Sequence, residues 1–233
     1  MSKIFTFWEG KMPAYIKYCL DTWKFDYVLL TYDTLKAYTD LDVENIKRYT
    51  LPQIADVIRV HVLRDNGGYW LDADTIMFSD VLPKENMLGY PSRRDATIGF
   101  LHADDNTGHM FREWAVHQDI MIDYHPEDTA WDVMGNRFTD KYIKEHNEIT
   151  IGDITPYWPE TYLVDDKLSR YDSYRKLYFT DNYNLSEILN ASMITTMFML
   201  HNSWTPNWYK NLLPNKVLGV DCTMSNILKE ALR

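Results

Sequence analysis

Two carboxylates two positions apart, in Asp72-Ala73-Asp74, are the residues of this 233-residue chain best suited to hold an ion. In a turn after a strand both can converge on one cation. Oxygen ligands favour Mg²⁺ or Mn²⁺, and such ions complete their shells with phosphate oxygens, so the pair suits a metal-bound diphosphate. On the triplet alone, a solvated acidic turn is the competing reading. Asp56 and Arg59 stand at i and i+3, off the apolar stripe Ile54/Ile58/Val62, and are expected to face a solvent-filled cleft together. Their plainer reading is a surface ion pair worth under about 1 kcal/mol. Trp8 ends a first apolar segment, where its indole face could lie on a nucleobase or fill core. The cluster His201-Asn202-Ser203-Trp204 follows a late apolar run and offers an imidazole, a hydroxyl and an indole NH.

These residues need a frame, and the first half of the chain reads as alternating strands and helices. The pattern predicts strands over Lys3 to Trp8 and Tyr27 to Thr31, with a helix over Pro13 to Lys24 between them. Leu51 to Arg64 reads as a helix with Pro52 in its first turn and Asn66-Gly67-Gly68 as its stop, although its Val and Ile content keeps a strand open. Short strands follow over Tyr69 to Leu71 and Thr75 to Phe78. Asp72 and Asp74 therefore fall at the carboxyl end of a strand, where open α/β sheets place ligands. Thr97 to Ala103 reads as a strand, Gly108 to Tyr124 as a helix, and Met193 to Leu200 as a last buried strand. From Thr150 to Asn190 few elements can be placed. Asp104-Asp105 and Glu127-Asp128 read as helix-capping pairs. His102, His109, His117 and His125 form no recognisable ligand set and read as structural.

Composition bounds the function. Lys plus Arg is 24 and Asp plus Glu 34, a formal charge of 24 − 34 = −10, which argues against a protein that grips nucleic acid by its phosphates. Hydrophobic residues at 45% and charged residues at 25% exclude a disordered or fibrous chain. With no linker or repeat visible, a single domain over residues 1–233 is expected. Cys19 and Cys222 lie far apart in no metal-ligand spacing. They point to a reducing compartment, with a disulfide between them left open. No apolar stretch suggests a secretory leader or a membrane span, so a cytoplasmic protein is expected.

Reading outward from the acidic pair, Ile54-Ala55-Asp56-Val57-Ile58-Arg59, then Val62-Leu63, then Asn66-Gly67-Gly68-Tyr69-Trp70-Leu71-Asp72-Ala73-Asp74 resembles the Asp-x-x-Arg … Leu … Gly-Gly-x-Tyr-x-Asp-x-Asp signature of family 32 sugar-nucleotide glycosyltransferases. These include the capsular polysaccharide, mannosyltransferase and clostridial glucosylating toxin types. The opening Ile4 to Gly10, with Trp8, and the polar loop His201 to Trp204 are similar to that family's start and close. The resemblance implies a GT-A-type, Rossmann-like α/β fold built on a single, mostly parallel mixed sheet flanked by helices. It implies transfer of a hexose from a UDP- or GDP-sugar to a saccharide or glycan acceptor, with retention of configuration and with Mn²⁺ or Mg²⁺ as cofactor. Asp74 would ligate the metal, Asp72 would reach the ribose or a metal-bound water, and His201 would be a third ligand. Arg59 would act with the two aspartates in catalysis. Trp8, Asp56, Arg59 and Asp72 would bind the donor, with Ser203 and Trp204 reaching its diphosphate from a loop that orders when nucleotide arrives. A lipid-linked acceptor would draw the protein to a membrane surface. Gly135-Asn136 departs from the Gly-Pro found at the matching family position.

Two rival functions remain. The strand followed by Asp72-Ala73-Asp74-Thr75 also fits the opening of haloacid dehalogenase phosphatases, with Asp72 as nucleophile, Asp74 as acid/base and Asp165-Asp166 as a later acidic motif. That family begins its fold with this motif, whereas here several elements precede it. The other rival is a non-catalytic nucleotide-sugar binding module.

Overall fold

A computed structural model describes residues 2–125, 127–128, 130–154, 167–192 and 196–233, with side chains at 189–192 left aside. The helices are α1 (Ala14–Asp21), α2 (Tyr32–Leu35), α3 (Val43–Ile46), α4 (Leu51–Asn66), α5 (Gly108–Tyr124), α6 (Asn136–Glu145), α7 (Arg170–Phe179), α8 (Leu185–Ser192), α9 (Asn207–Lys210), α10 (Pro214–Val217) and α11 (Thr223–Ala231). The strands are β1 (Ile4–Phe7), β2 (Val28–Leu30), β3 (Gly68–Leu71), β4 (Thr75–Met77), β5 (Met87–Tyr90), β6 (Asp95–Ala103), β7 (Ile151–Asp153) and β8 (Met197–Met199). They divide between two compact units: 1–9, 26–72 and 83–153 form the first, and 10–25, 73–82 and 154–233 the second.

The first unit is a six-stranded mixed sheet in the order β2-β1-β3-β6-β5-β7. Pairs β1/β2, β1/β3 and β5/β7 are parallel, while β6 runs antiparallel to both β3 and β5. Helix α4 begins at a reciprocal cap between Thr50 and Gln53, with Pro52 in the first turn, and it ends at Gly67. It packs on β1, β3 and β6 as well as on α5, so one apolar stripe is not enough. Ile54, Val57, Ile58, Val60, Val62 and Leu63 are all buried, which explains the β-branched content that kept a strand open.

Gly67 and Gly68 both adopt positive φ, at 64° and 87°, and so turn the chain directly from α4 into β3. A Cβ on Gly68 would stand 2.3 Å from the Lys3 carbonyl oxygen, which accepts the Tyr69 amide at 2.8 Å. Glycine is thus needed for β3 to lie beside β1.

In the second unit β4 and β8 form an antiparallel ribbon, with Ile76 opposite Phe198. The ribbon is held to α1 and the residues after it: Thr22 Oγ1 accepts the Met77 amide and Trp23 Nε1 donates to the Thr75 carbonyl, both at 2.8 Å. Tyr178, Phe198 and Tyr209 form its aromatic core. Cys19 and Cys222 are buried and free, so the disulfide left open by the sequence is not formed. The strands therefore make two sheets where a single one was expected. Of the strand expected over Met193 to Leu200, Met197–Met199 is observed, and 193–195 lie outside the described residues, as does Asp165-Asp166. Among the described residues no helix is long and apolar enough to cross a membrane.

Candidate functional site

In the first unit, α4 presents Asp56 and Arg59 one turn apart, and β3 delivers Asp72 just past its end. Arg59 Nη2 lies 3.0 Å from Asp56 Oδ1 and 3.3 Å from Asp72 Oδ1. Its Nη1 donates to the Ile98 carbonyl, and the guanidinium stands 5.2 Å from the centre of the Trp70 ring. Trp70 Nε1 donates to Asp72 Oδ1 at 2.8 Å. Arg59 is 4% exposed and Asp56 9%, so the two residues expected to face a solvent-filled cleft form instead a buried pair. The reason is α5 and α6, which cover the face that the helical stripe left unassigned. Gln118 of α5 donates to the Asp56 carbonyl at 3.0 Å. A Cβ on Gly135, just before α6, would meet Asp56 Oδ2 at 2.9 Å and Ile98 Cδ1 at 2.5 Å.

Burial pushes the Asp56 carboxyl up to about 6; the Arg59 charge opposes that rise and Asp72 adds to it. Both contacts of Asp72 use Oδ1, and its side chain is 37% exposed, so Oδ2 is the oxygen left to meet a ligand. Arg59 thereby holds Asp72 in place, an arrangement strong in contact and costly to break. Trp70, Gln118 and Gly135 complete this cluster and were missed as site residues. Only Gly135 carried a signal, as a glycine before Asn136 where the similar family has proline.

Trp8 follows β1, its amide bonded to the Leu30 carbonyl at 3.0 Å. The residue is half-buried, and its indole NH is buried without a hydrogen-bond partner among the described residues. That donor is neither solvated nor satisfied, as a wholly structural Trp would usually be.

The second unit holds the rest of the predicted set. Asp74 enters β4, and its Oδ2 accepts the Asn202 amide at 2.6 Å while its carbonyl accepts the Leu200 amide at 3.3 Å. The polar loop forms a 3₁₀ turn over Asn202–Trp204 that is already packed. The Trp204 ring lies 4.1 Å from the His201 ring and 5.5 Å from that of Tyr174, whose hydroxyl accepts the His201 amide at 3.2 Å. The expectation that this segment lacks a reason to order without nucleotide is therefore corrected: Asp74 and Tyr174 supply one. Ser203 is exposed at the tip of the turn. Burial, and then Arg170, lowers the His201 imidazole to about 4, so at neutral pH it is uncharged, the form that can ligate a metal. A groove of about 360 Å³ in this unit, lined by Arg175, Lys176, Phe179 and Trp208 among others, includes none of the predicted residues.

The helix-capping pairs divide. Asp104 accepts the Asn106 and Thr107 amides ahead of α5, as expected of a cap. Asp128 instead pairs with Arg137 at 2.7 Å. His109 Nε2 lies 3.0 Å from Glu148 Oε1.

The first unit thus joins a mixed sheet to a buried Asp56–Arg59 pair that reaches the Asp72 carboxylate just past β3. The family model described as capsular polysaccharide synthesis protein matches residues 1–202, and the chain belongs to that family. No curated protein matches it.

Proposed function

We propose that this chain is a GT-A-type glycosyltransferase of capsular polysaccharide synthesis. It moves a hexose from a UDP- or GDP-sugar to a saccharide acceptor with retention. The observation that carries this reading is the Asp72-Ala73-Asp74 turn at the carboxyl end of β3, backed by Arg59 and Asp56, in a chain of the capsule-synthesis family. Asp74 would ligate Mn²⁺ or Mg²⁺, with Asp72 and His201 as the other expected ligands. When bound, the cation offsets charge on the leaving diphosphate.

The chain's own residues supply the remaining functions. Arg59 is a positioning residue: it fixes Asp72 Oδ1 and leaves Oδ2 to the ribose or to a metal-bound water. Trp8 lays its ring on the base and finds a partner for its indole NH. Ser203 and Trp204 donate hydrogen bonds to the diphosphate. The phosphatase reading has no observation in its favour, since β1, α1, β2 and α4 all precede the acidic turn.

A screen of nucleoside diphosphates by thermal shift, with and without Mn²⁺, tests the proposal, because a ligand of the native state raises stability by RT ln(1 + [L]/Kd). Stabilisation should need nucleotide and metal together, and hexose transfer from UDP- or GDP-sugars should stop in chelator. Transfer that persists in chelator, or in Asp74→Asn, would overturn the metal assignment. Phosphomonoester hydrolysis abolished by Asp72→Asn would establish the rival enzyme. Nucleotide binding without transfer to any acceptor would leave the binding module standing.

A further inference from the structure

In the first unit, three metal-type ligands from two separate stretches of sequence meet away from the acidic turn. His109 lies in the first turn of α5, His146 closes α6, and Glu148 follows two residues later. Glu148 Oε1 stands 3.0 Å from His109 Nε2 and 2.7 Å from His146 Nδ1. One ligand atom from each of the three lies within 4.8 Å of the others. We infer that His109, His146 and Glu148 form a binding site for a borderline divalent metal, Zn²⁺ foremost, distinct from the proposed donor-site cation.

Ligand identity selects the metal. Two imidazoles and one carboxylate are the donors of three-ligand zinc sites, which keep a further position for water or an anionic ligand. Ligand atoms about 2.0–2.2 Å from a tetrahedral Zn²⁺ stand roughly 3.3 Å apart, so the Glu148 contacts would open from 3.0 and 2.7 Å toward that spacing, and the separation of the two imidazole nitrogens, within 4.8 Å, would adjust to it by side-chain rotation. The side chains are 34%, 33% and 44% exposed, which leaves an entry path and room for the open position.

The scaffold around the cluster is built rather than incidental. The His146 ring stacks on Tyr142 at 3.9 Å and 5°, which orients it. Arg94, a non-glycine residue at φ 48°, reaches across to the end of α6: its Nε donates to the Ile143 carbonyl at 2.5 Å and its Nη2 to the His146 carbonyl at 2.7 Å. Those bonds pin the short segment that presents both His146 and Glu148. Without metal the same three groups make a hydrogen-bonded His–Glu–His bridge, and the experiment separates the two states.

Zn²⁺ is titrated into EDTA-stripped chain by calorimetry, in parallel with Co²⁺ followed by visible absorption. One high-affinity equivalent is expected, with the intense bands of four-coordinate Co²⁺, and it should persist in Asp74→Asn, where the donor-site cation is lost. His146→Ala or Glu148→Gln should weaken it by more than the roughly 10–100-fold that removing a mere supporting partner costs. In the wild-type chain Zn²⁺ should shield His109 and His146 from diethylpyrocarbonate, read by peptide mass spectrometry, so the result does not depend on variants that fold. Absence of Zn²⁺ binding, undiminished binding in His109→Ala/His146→Ala, or equal modification with and without Zn²⁺ would overturn the inference.

Discussion

Asp72 and Asp74 are two residues apart, yet they are secured by opposite means. In the first unit Asp72 is held by side chains: a buried guanidinium at 3.3 Å and an indole NH at 2.8 Å. In the second, Asp74 is held by backbone, accepting the Asn202 amide at 2.6 Å. The difference teaches where each position is vulnerable. A buried cation shared by two carboxylates cannot lose a member without stranding charge, whereas a carboxylate on a backbone amide can be replaced by any acceptor of the same shape.

Arg59→Ala is the strongest way to break the contrast. It leaves Asp56 enclosed with Asp72 and no cation, and should cost about 3–5 kcal/mol in urea unfolding. A loss under about 1 kcal/mol would mean that the cluster behaves as an ordinary surface pair after all.

Acid provides the next largest effect in the first unit. Burial, with Arg64 adding to it, lowers the His61 imidazole from 6.5 to about 4. His61 thus contributes stability that is present above pH 6.5 and lost as pH falls toward 4, up to a few kcal/mol (roughly). Asp56, raised to about 6, acts in the opposite sense and gains stability as pH falls through the same window. Because the two contributions oppose each other, the test is the difference between proteins: from pH 7 to 4 the denaturation midpoint of His61→Phe should rise relative to that of the wild type. Identical slopes in the two proteins would remove His61 from the account.

Gly135→Ala sharpens the first-unit half of the comparison. The new methyl would press on Ile98 and on the Asp56 carboxylate, at 2.5 and 2.9 Å, and overpacking of this kind costs about 1–3 kcal/mol. If the variant melts like the wild type, the approach of α6 to Asp56 is looser than these distances imply.

The smallest stability effect is expected in the second unit. Asp74→Asn retains an oxygen for the Asn202 amide, so it should cost only about 1 kcal/mol of stability, the difference between a charged and a neutral acceptor. Metal-dependent nucleotide binding should nevertheless disappear. A large stability loss with binding intact would reverse the roles assigned to the two aspartates.

What the sequence by itself determined about this protein is local. The Pro52 start and Gly67-Gly68 stop of α4, the short β3, the strand-end position of Asp72-Ala73-Asp74 and the helix over Gly108 to Tyr124 are written in signals a few residues long, and all are observed. Such signals act through backbone conformation and i+3 or i+4 contacts, which need no knowledge of the rest of the chain. The tertiary structure decided everything that depends on what packs against those elements. The Asp56–Arg59 pair is buried because α5 and α6 close over α4, bringing Gln118 and Gly135 to a helix face that its own periodicity left polar. The segment after β8 is ordered because Asp74 and Tyr174, distant along the chain, meet its amides. His109 joins Glu148 across 39 positions. No hydrophobic period or capping rule relates residues so far apart, since their meeting depends on the packing of whole helices and strands, and packing energy is shared among many contacts rather than carried by any one stretch of sequence.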